Sequence, residues 1–490
     1  MIPVPIVGQA YTLPSVNAAF QRCLNLYAEG VIGETKSQII LKKRSGLKLF
    51  ATTTLPQRRI YTTSKGRLFS INGDKLTEIS ITGGKTEHGT ISTSTGQVSM
   101  ADNGDELLIV DGTTGFVFNL VTNVLTSIAD TDFPDSATHV TFQDGFLIVN
   151  DPSSSPAGEF FISGIRDATT WGALDFGNAE SSPDIINALI STGREVWLFG
   201  PKSVEPWYNS GAAAFPFQRI NGAQSEIGLF APFSLCRMET SIFWLGANDQ
   251  GHGQVFTNQG YKPVRISTHA IEQEWITYSS IEDAVGFCYQ EGGHKFYVLN
   301  FQAGDKTWVY DTVTGWWHET GFTDFTINKD GQYRGNTHAF FNGKNFTSDA
   351  ANGNIYEIDP KTLTDEIDPD ILTDPTIDGV KIKMLRSTPH EWNGAERVFY
   401  NSFQVDMETG VGLTVGQGSD PQAMLRWSND GGHTFSNQLF KDIGKKGEYK
   451  TRVKFNRIGQ ARDRLWEFSI TDPIPVTILG AYIKANTVTQ

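Results

Sequence analysis

"VYDTVTGWWHET" (309–320) and "VFNLVTNVLTSI" (117–128) share one outline. Each reads as an apolar strand, a polar turn at V-T-G or V-T-N, and a returning strand. Tyr310 stands where Phe118 stands, and Asp311 where Asn119 stands. Gly315 and Asn123 share the place where a tight hairpin needs a positive φ, which glycine and asparagine tolerate. Looser copies are "LFSINGDKLTEIS" (68–80), "FFISGIRDATTWGAL" (160–174), "EPWYNSGAAAFPFQRI" (205–220), "VFTNQGYKPVRIS" (255–267) and "IYEIDPKTLTDEI" (355–367). Short apolar strands accompany them: "RLFSI" at Arg67, "ELLIV" at Glu106, "GFLIV" at Gly145, "EVWLF" at Glu195, "SIFWL" at Ser241, "KFYVL" at Lys295 and "HAFF" at His338. These anchors recur about every 40–55 residues, the spacing of a propeller blade. One hairpin cannot bury both faces, and strands so rich in Trp, Phe and Ile would not stay wet. Radial stacking buries the blades on each other. The repeat therefore predicts a β-propeller of six or seven blades over residues 51–360.

Composition agrees with an all-β chain. Among 490 residues there are 49 glycines, 12% are aromatic, and long stretches with helical period are missing. The net charge of −14, from 54 acidic and 40 basic residues, repels phosphate on average. It argues against a protein that grips DNA with a basic stripe. The densest basic segments, "LKKRSG" (41–46) and "RIGQARDR" (457–464), read as solvated strand ends. Cys23, Cys236 and Cys288 lie far apart and form no C-x-x-C. Their odd number argues against a disulfide framework and fits a reducing compartment. The N-terminus lacks the basic region of a signal peptide. No apolar run reaches the roughly 18 residues of a membrane span.

Residues 1–50 read as an N-terminal arm with the first strands. Residues 361–385 read as an acidic, proline-containing linker. Its Asp365, Asp368, Asp370 and Asp374 invite a calcium site, but their spacing does not match a calcium-binding loop. Residues 386–490 alternate strands and polar turns, as a β-sandwich-like domain does. Within it, "RWSNDGGHTFSN" (426–437) spells S-x-D-x-G-x-T-F through Ser428, Asp430, Gly432, Thr434 and Phe435. That resembles the Asp-box turn of sialidases and other propeller proteins. Asp430 can accept backbone N–H groups, and Gly431 and Gly432 can take φ > 0. Thr434 and Phe435 suit the returning strand. The motif predicts a structural turn and says little about activity.

No catalytic constellation accompanies it. H-E-x-x-H, an i, i+4 histidine pair, a phosphate loop and G-x-S-x-G are all missing. A sialidase needs clustered arginines and a tyrosine nucleophile, which spacing does not assemble here. His294, His318 and Glu205 lie within the repeat and read as hydrogen-bonded structural side chains. The expectation is a non-enzyme with no catalytic residue, no cofactor and no metal.

Several longer segments join these observations. "NAESSPDIINALISTGREVWLFGPKSVEPWYNSG" (178–211), "GAQSEIGLFAPFS" (222–234), "RISTHAIEQ" (265–273) and "EDAVGFCYQEGGHKFYVLNFQAGDKTWVYDTVTGWWHET" (282–320) follow in order. "QRCLNLYAEG" (21–30) and "LKKRSGLKLF" (41–50) open the chain, and "RIGQARDRLWEFSITDPIPVTILGAYIKA" (457–485) closes it. Together they resemble the packaged-DNA stabilisation, or tail hub (nozzle), proteins of short-tailed bacteriophages. The resemblance implies a structural virion protein of the tail, assembled in the bacterial host cytoplasm. It implies a ring, commonly hexameric in the family, that closes the DNA exit channel, stabilises packaged DNA and conducts it at ejection. Implied partners are head–tail adaptor proteins above and tail tip, needle, fibre or spike proteins below. Double-stranded DNA would pass through the lumen without sequence-specific contacts. The alternative is a glycan-binding or glycan-cleaving propeller used in host adsorption.

Overall fold

The computed structural model describes residues 1–487 apart from 32, 34, 180–182, 248–249, 374–377 and 395. Among them the chain is nearly all strand and turn, with one seven-residue α-helix, His269–Trp275. Six consecutive four-stranded meanders stand around one axis. Their inner and outer strands are Gln57–Thr62 and Lys85–Thr90 in blade 1, and Ser99–Asp102 and Val124–Ser127 in blade 2. They are Val140–Gln143 and Asp167–Asn178 in blade 3, and Ala188–Thr192 and Phe217–Arg219 in blade 4. Blade 5 runs from Cys236–Met238 to Lys262–Arg265, and blade 6 from Val285–Glu291 to Trp316–Glu319. A seventh blade takes Gly335–Phe341, Lys344–Asp349 and Asn354–Asp359. Its fourth strand is Gly46–Thr52, which precedes blade 1 in the chain, so the ring is closed by pairing one end of the propeller with the other.

The two hairpins that revealed the repeat join the third and fourth strands of blades 2 and 6. Asn123 takes φ 58° and Gly315 φ 71°. Asn119 Oδ1 accepts the N–H groups of Val121 and Thr122, and Asp311 Oδ1 accepts that of Val313, at 2.9–3.0 Å. The same Asx geometry thus builds both turns. The unbroken apolar runs also have a cause. Leu107 and Ile109 of "ELLIV" pack toward blade 1, while Leu108 and Val110 pack toward blade 3. Val196 and Leu198 of "EVWLF" face blade 3, and Trp197 and Phe199 face blade 5. A strand buried on both faces needs no polar alternation.

The C-terminal domain is a β-sandwich. One sheet orders Val453–Asn456, Val398–Met407, Thr477–Thr487, Ile39–Lys43 and Leu26–Gly30. The other contains Met384–Ser387, Asp463–Ile470, Gln422–Ser428 and Leu439–Asp442. Residues 1–45 therefore lend strands to the sandwich, and Ile2–Val4 pairs with its last strand. Within 361–385, Thr364–Asp365 pairs with Gly46–Thr52 and with Val380–Lys381.

Three expectations need correction. Cys236 and Cys288 form a disulfide, with Cα atoms 6.2 Å apart, although their spacing and odd number argued against a disulfide framework. They are 52 residues apart in sequence, but the inner strands of blades 5 and 6 bring them side by side. The segment "LKKRSG" is not a solvated strand end, because Arg44 is buried. "RIGQARDR" is solvated only in part: Arg457 and Arg462 are exposed, but Arg464 is buried, with its guanidinium over the rings of Tyr400, Trp427 and Trp466. Arg44 pairs with Asp365, 321 residues away, and Arg464 lies over Tyr400 and Trp427 from other strands, so local composition gave no sign of their burial.

Candidate functional site

A hydrogen-bonded seam joins the propeller to the sandwich. The outer strand of blade 6 pairs with Cys23–Leu24, which pairs with Met384–Ser387, which pairs with Asp463–Ile470. One sheet thus runs from blade 6 into the second domain. Its core is equally shared: Trp275 and Trp317 of the propeller and Phe403, Phe455 and Trp466 of the sandwich belong to one buried cluster.

Charged side chains pin this seam. Arg44 forms a two-pronged ion pair with Asp365, Nη1 to Oδ1 at 3.0 Å and Nη2 to Oδ2 at 2.6 Å. Its remaining donors reach Asn25 Oδ1 at 2.8 Å and the carbonyls of Ser45 and Gly321. Asn25 takes φ 55°, and its side chain also accepts the Gly321 N–H and donates to the Lys383 carbonyl. Burial alone would raise the carboxyl of Glu319; Arg22 at 2.9 Å and Lys306 at 3.1 Å outweigh it and hold that carboxyl ionised. Asp330 joins Arg22 and Lys383 in the same network. Arg386, fully buried, donates to the carbonyls of Ile6, Gln9 and Arg22. A buried ion pair with satisfied donors is worth little against an apolar substitute, but breaking it is costly. Such pairs therefore fix geometry more than they add stability.

The Asp-box residues lie at the edge of this seam. Ser428 Oγ donates to Asp430 Oδ1 at 2.6 Å and accepts the Gly432 N–H at 2.8 Å. Asp430 accepts the Thr434 N–H at 2.9 Å and its hydroxyl at 2.5 Å. These bonds hold the Asp430 carboxyl far below the usual range, the Ser428 and Thr434 hydroxyls first. Gly431 and Gly432 take φ 74° and 100°. A Cβ on Gly431 would collide with the Asn17 side chain, and Phe435 lies 6.0 Å from Phe20 and under the Arg426 guanidinium. The turn is thus a bearing surface for residues 16–20.

The other singled-out side chains are packed into the propeller. His294 Nδ1 bonds Asp311 Oδ2 at 2.9 Å. His318 packs against Tyr27 and Phe296, and burial lowers its pKa to about 4. Glu205 accepts the Trp207 indole N–H at 3.1 Å. Asp365 belongs to the Arg44 pair, Asp368 caps the Asp370 N–H, and Asp374 lies outside the described residues. Among the described residues no group of three or more His, Cys, Asp and Glu side chains is placed to hold a metal ion. Among the same residues no helix is long and apolar enough to cross a membrane. Sequence reasoning missed Arg22, Asn25, Arg44 and Arg386. The one available signal was charge: a basic "LKKRSG" and an acidic 361–385 that complement each other.

A family model described as bacteriophage P22 Gp10, β-propeller, matches residues 22–363. A second, described as bacteriophage P22 Gp10, β-sandwich, matches residues 383–486. A search of the curated proteins gives no match. Among solved structures, the extracellular domain of the hybrid two-component system BT4673 from B. thetaiotaomicron is 10% identical with a TM-score of 0.45. That alignment covers 64% of this chain and only 40% of the longer one. The WD40 β-propeller domain of Doa1 is 10% identical with a TM-score of 0.41, over 64% of this chain and 96% of that one. Likenesses this weak carry no argument about function.

Proposed function

The chain belongs to the bacteriophage P22 Gp10 family of phage DNA-stabilisation and tail proteins, and from that premise we propose that its copies form a closed ring on a short tail. The ring narrows the DNA exit path, retains the packaged genome and conducts it at ejection. The observation that carries this reading is the continuous sheet from blade 6 into the sandwich, pinned by Arg44 and Asp365. A ring closes only when every subunit presents its two lateral faces at one fixed angle. A hinged pair of domains would give a spread of angles and open assemblies. The seam supports a rigid subunit, and rigidity permits modest lateral contacts to close on themselves.

The charge supports the same use. A protein with net charge −14 offers the duplex few adhesive lysine rows, so DNA can slide. The head–tail adaptor lies above the ring and the tail tip, needle or fibres below. The test is encapsidated genome over time in particles with and without this protein. Particles lacking it should package DNA and then lose it. Equal retention, with tails otherwise complete, refutes the reading.

A further inference from the structure

The inner strands of all seven blades enclose an axial cavity of about 680 Å³. Phe142, Phe233, Phe287 and Phe340 form much of its wall. Its charged lining groups are Asp102, Arg237 and Arg59. Asp102 is satisfied by the Tyr61 hydroxyl at 2.8 Å and by the Ser64 N–H and hydroxyl. Arg237 donates to the Ser191 carbonyl.

Arg59 differs from both. Among the described residues no carboxylate, carbonyl or hydroxyl accepts from its guanidinium, and its Nε is buried without a partner. Among the described residues no carboxylate pairs with this cation. Its charge reaches His139 on the approach to blade 3 and His338 in the adjacent blade 7. Both imidazoles are held neutral, by burial first and by Arg59 as well. His139 is stacked on Phe233 at 4.6 Å and bonded to Thr138 Oγ1; His338 is bonded to Asn345 Oδ1 at 3.0 Å. Neither can serve as a counter-ion.

A guanidinium withdrawn from bulk water without a partner is unfavourable, and an anion relieves it. The planar fork of arginine matches two oxygens of an oxyanion, and the aromatic wall lowers the local dielectric that would weaken the contact. We propose that the axial cavity binds a small oxyanion of the phosphate class, anchored by Arg59 and flanked by His139 and His338. Blades 1, 3 and 7 meet around that anion, so its binding ties together inner strands that share no ladder.

The experiment uses the full chain and inorganic phosphate. Equilibrium dialysis should show one saturable class of site, and sulfate should compete for it. Thermal unfolding should shift upward in phosphate relative to chloride at matched ionic strength. Arg59→Gln should lose both the retained phosphate and the shift. It should melt no lower than the wild type without phosphate, because the unpaired cation is gone. Absence of saturable binding to the wild type at millimolar phosphate overturns the proposal, as does equal binding by Arg59→Gln. Should that variant not fold, a wild-type crystal soaked in phosphate decides. Phosphate on the Arg59 guanidinium supports the proposal, and phosphate bound only elsewhere overturns it.

Discussion

Asp430 shows what one carboxylate can do at a turn. It satisfies the N–H and hydroxyl of Thr434 and braces a loop against which Asn17 and Phe20 rest. Asp430→Ala should lower the melting temperature and expose residues 16–20 to protease, while Asp430→Asn, which keeps an acceptor, should do less. Unchanged melting and proteolysis in the alanine variant would remove the turn's structural role. The turn itself was legible in S-x-D-x-G-x-T-F, because its bonds are local; its contact with residues some four hundred positions earlier was not. Buried histidines give a second expectation at this scale. Burial holds His139 at about 3 and His318 and His338 at about 4. In the unfolded chain each returns to about 6.5. Below that pH the unfolded state binds protons that the native state refuses, so stability is intact above about pH 6.5 and falls as the pH drops toward the native values. The slope approaches about 1.4 kcal/mol per pH unit for each histidine. Denaturant titrations at pH values across that window should show the decline, and His318→Gln should flatten it. Equal pH dependence in the two proteins would contradict the burial argument.

At the scale of the element, the blade and the seam differ in how far sequence reaches. A blade is a run of hairpins whose partners are close in the chain, as Asp311 and Trp316 are. Its turns and apolar runs are therefore written locally, and the anchors at Arg67 through His338 number as many as the sheets around the axis. The seam is written in pairs such as Arg44 with Asp365, 321 residues apart. Nothing near either residue announces the other, so one read as a wet strand end and the other as part of a linker. The seam also yields a sharp test. Arg44→Met leaves the Asp365 carboxylate buried without its cation and should cost about 3–5 kcal/mol, whereas replacing Arg44 and Asp365 together by Met and Leu should recover most of that loss. Urea unfolding of the single and double variants measures both. Equal losses would mean that the pair contributes through packing alone.

For the whole molecule, the question is whether two domains behave as one body. Chains of this size commonly melt in separate steps, one per domain. Here the second sheet of the sandwich continues blade 6, and Gly46–Thr52 closes the propeller immediately after Ile39–Lys43 extends the sandwich. Loss of either domain strips the other of a strand partner and opens a cluster that holds both Trp317 and Trp466. Calorimetry of the wild type should therefore give one cooperative transition, followed identically by near-ultraviolet circular dichroism and by tryptophan fluorescence. Arg44→Met, which weakens the seam while leaving the other blades untouched, should split it into two. The proposed ring carries the argument to the particle: a subunit whose domains move independently cannot hold a fixed closing angle. Phage carrying Arg44→Met should then leak packaged DNA faster than the wild type at temperatures where the isolated variant is still folded. A wild type that melts in two well-separated steps would show that the seam is not rigid, and the ring would need another source for its geometry.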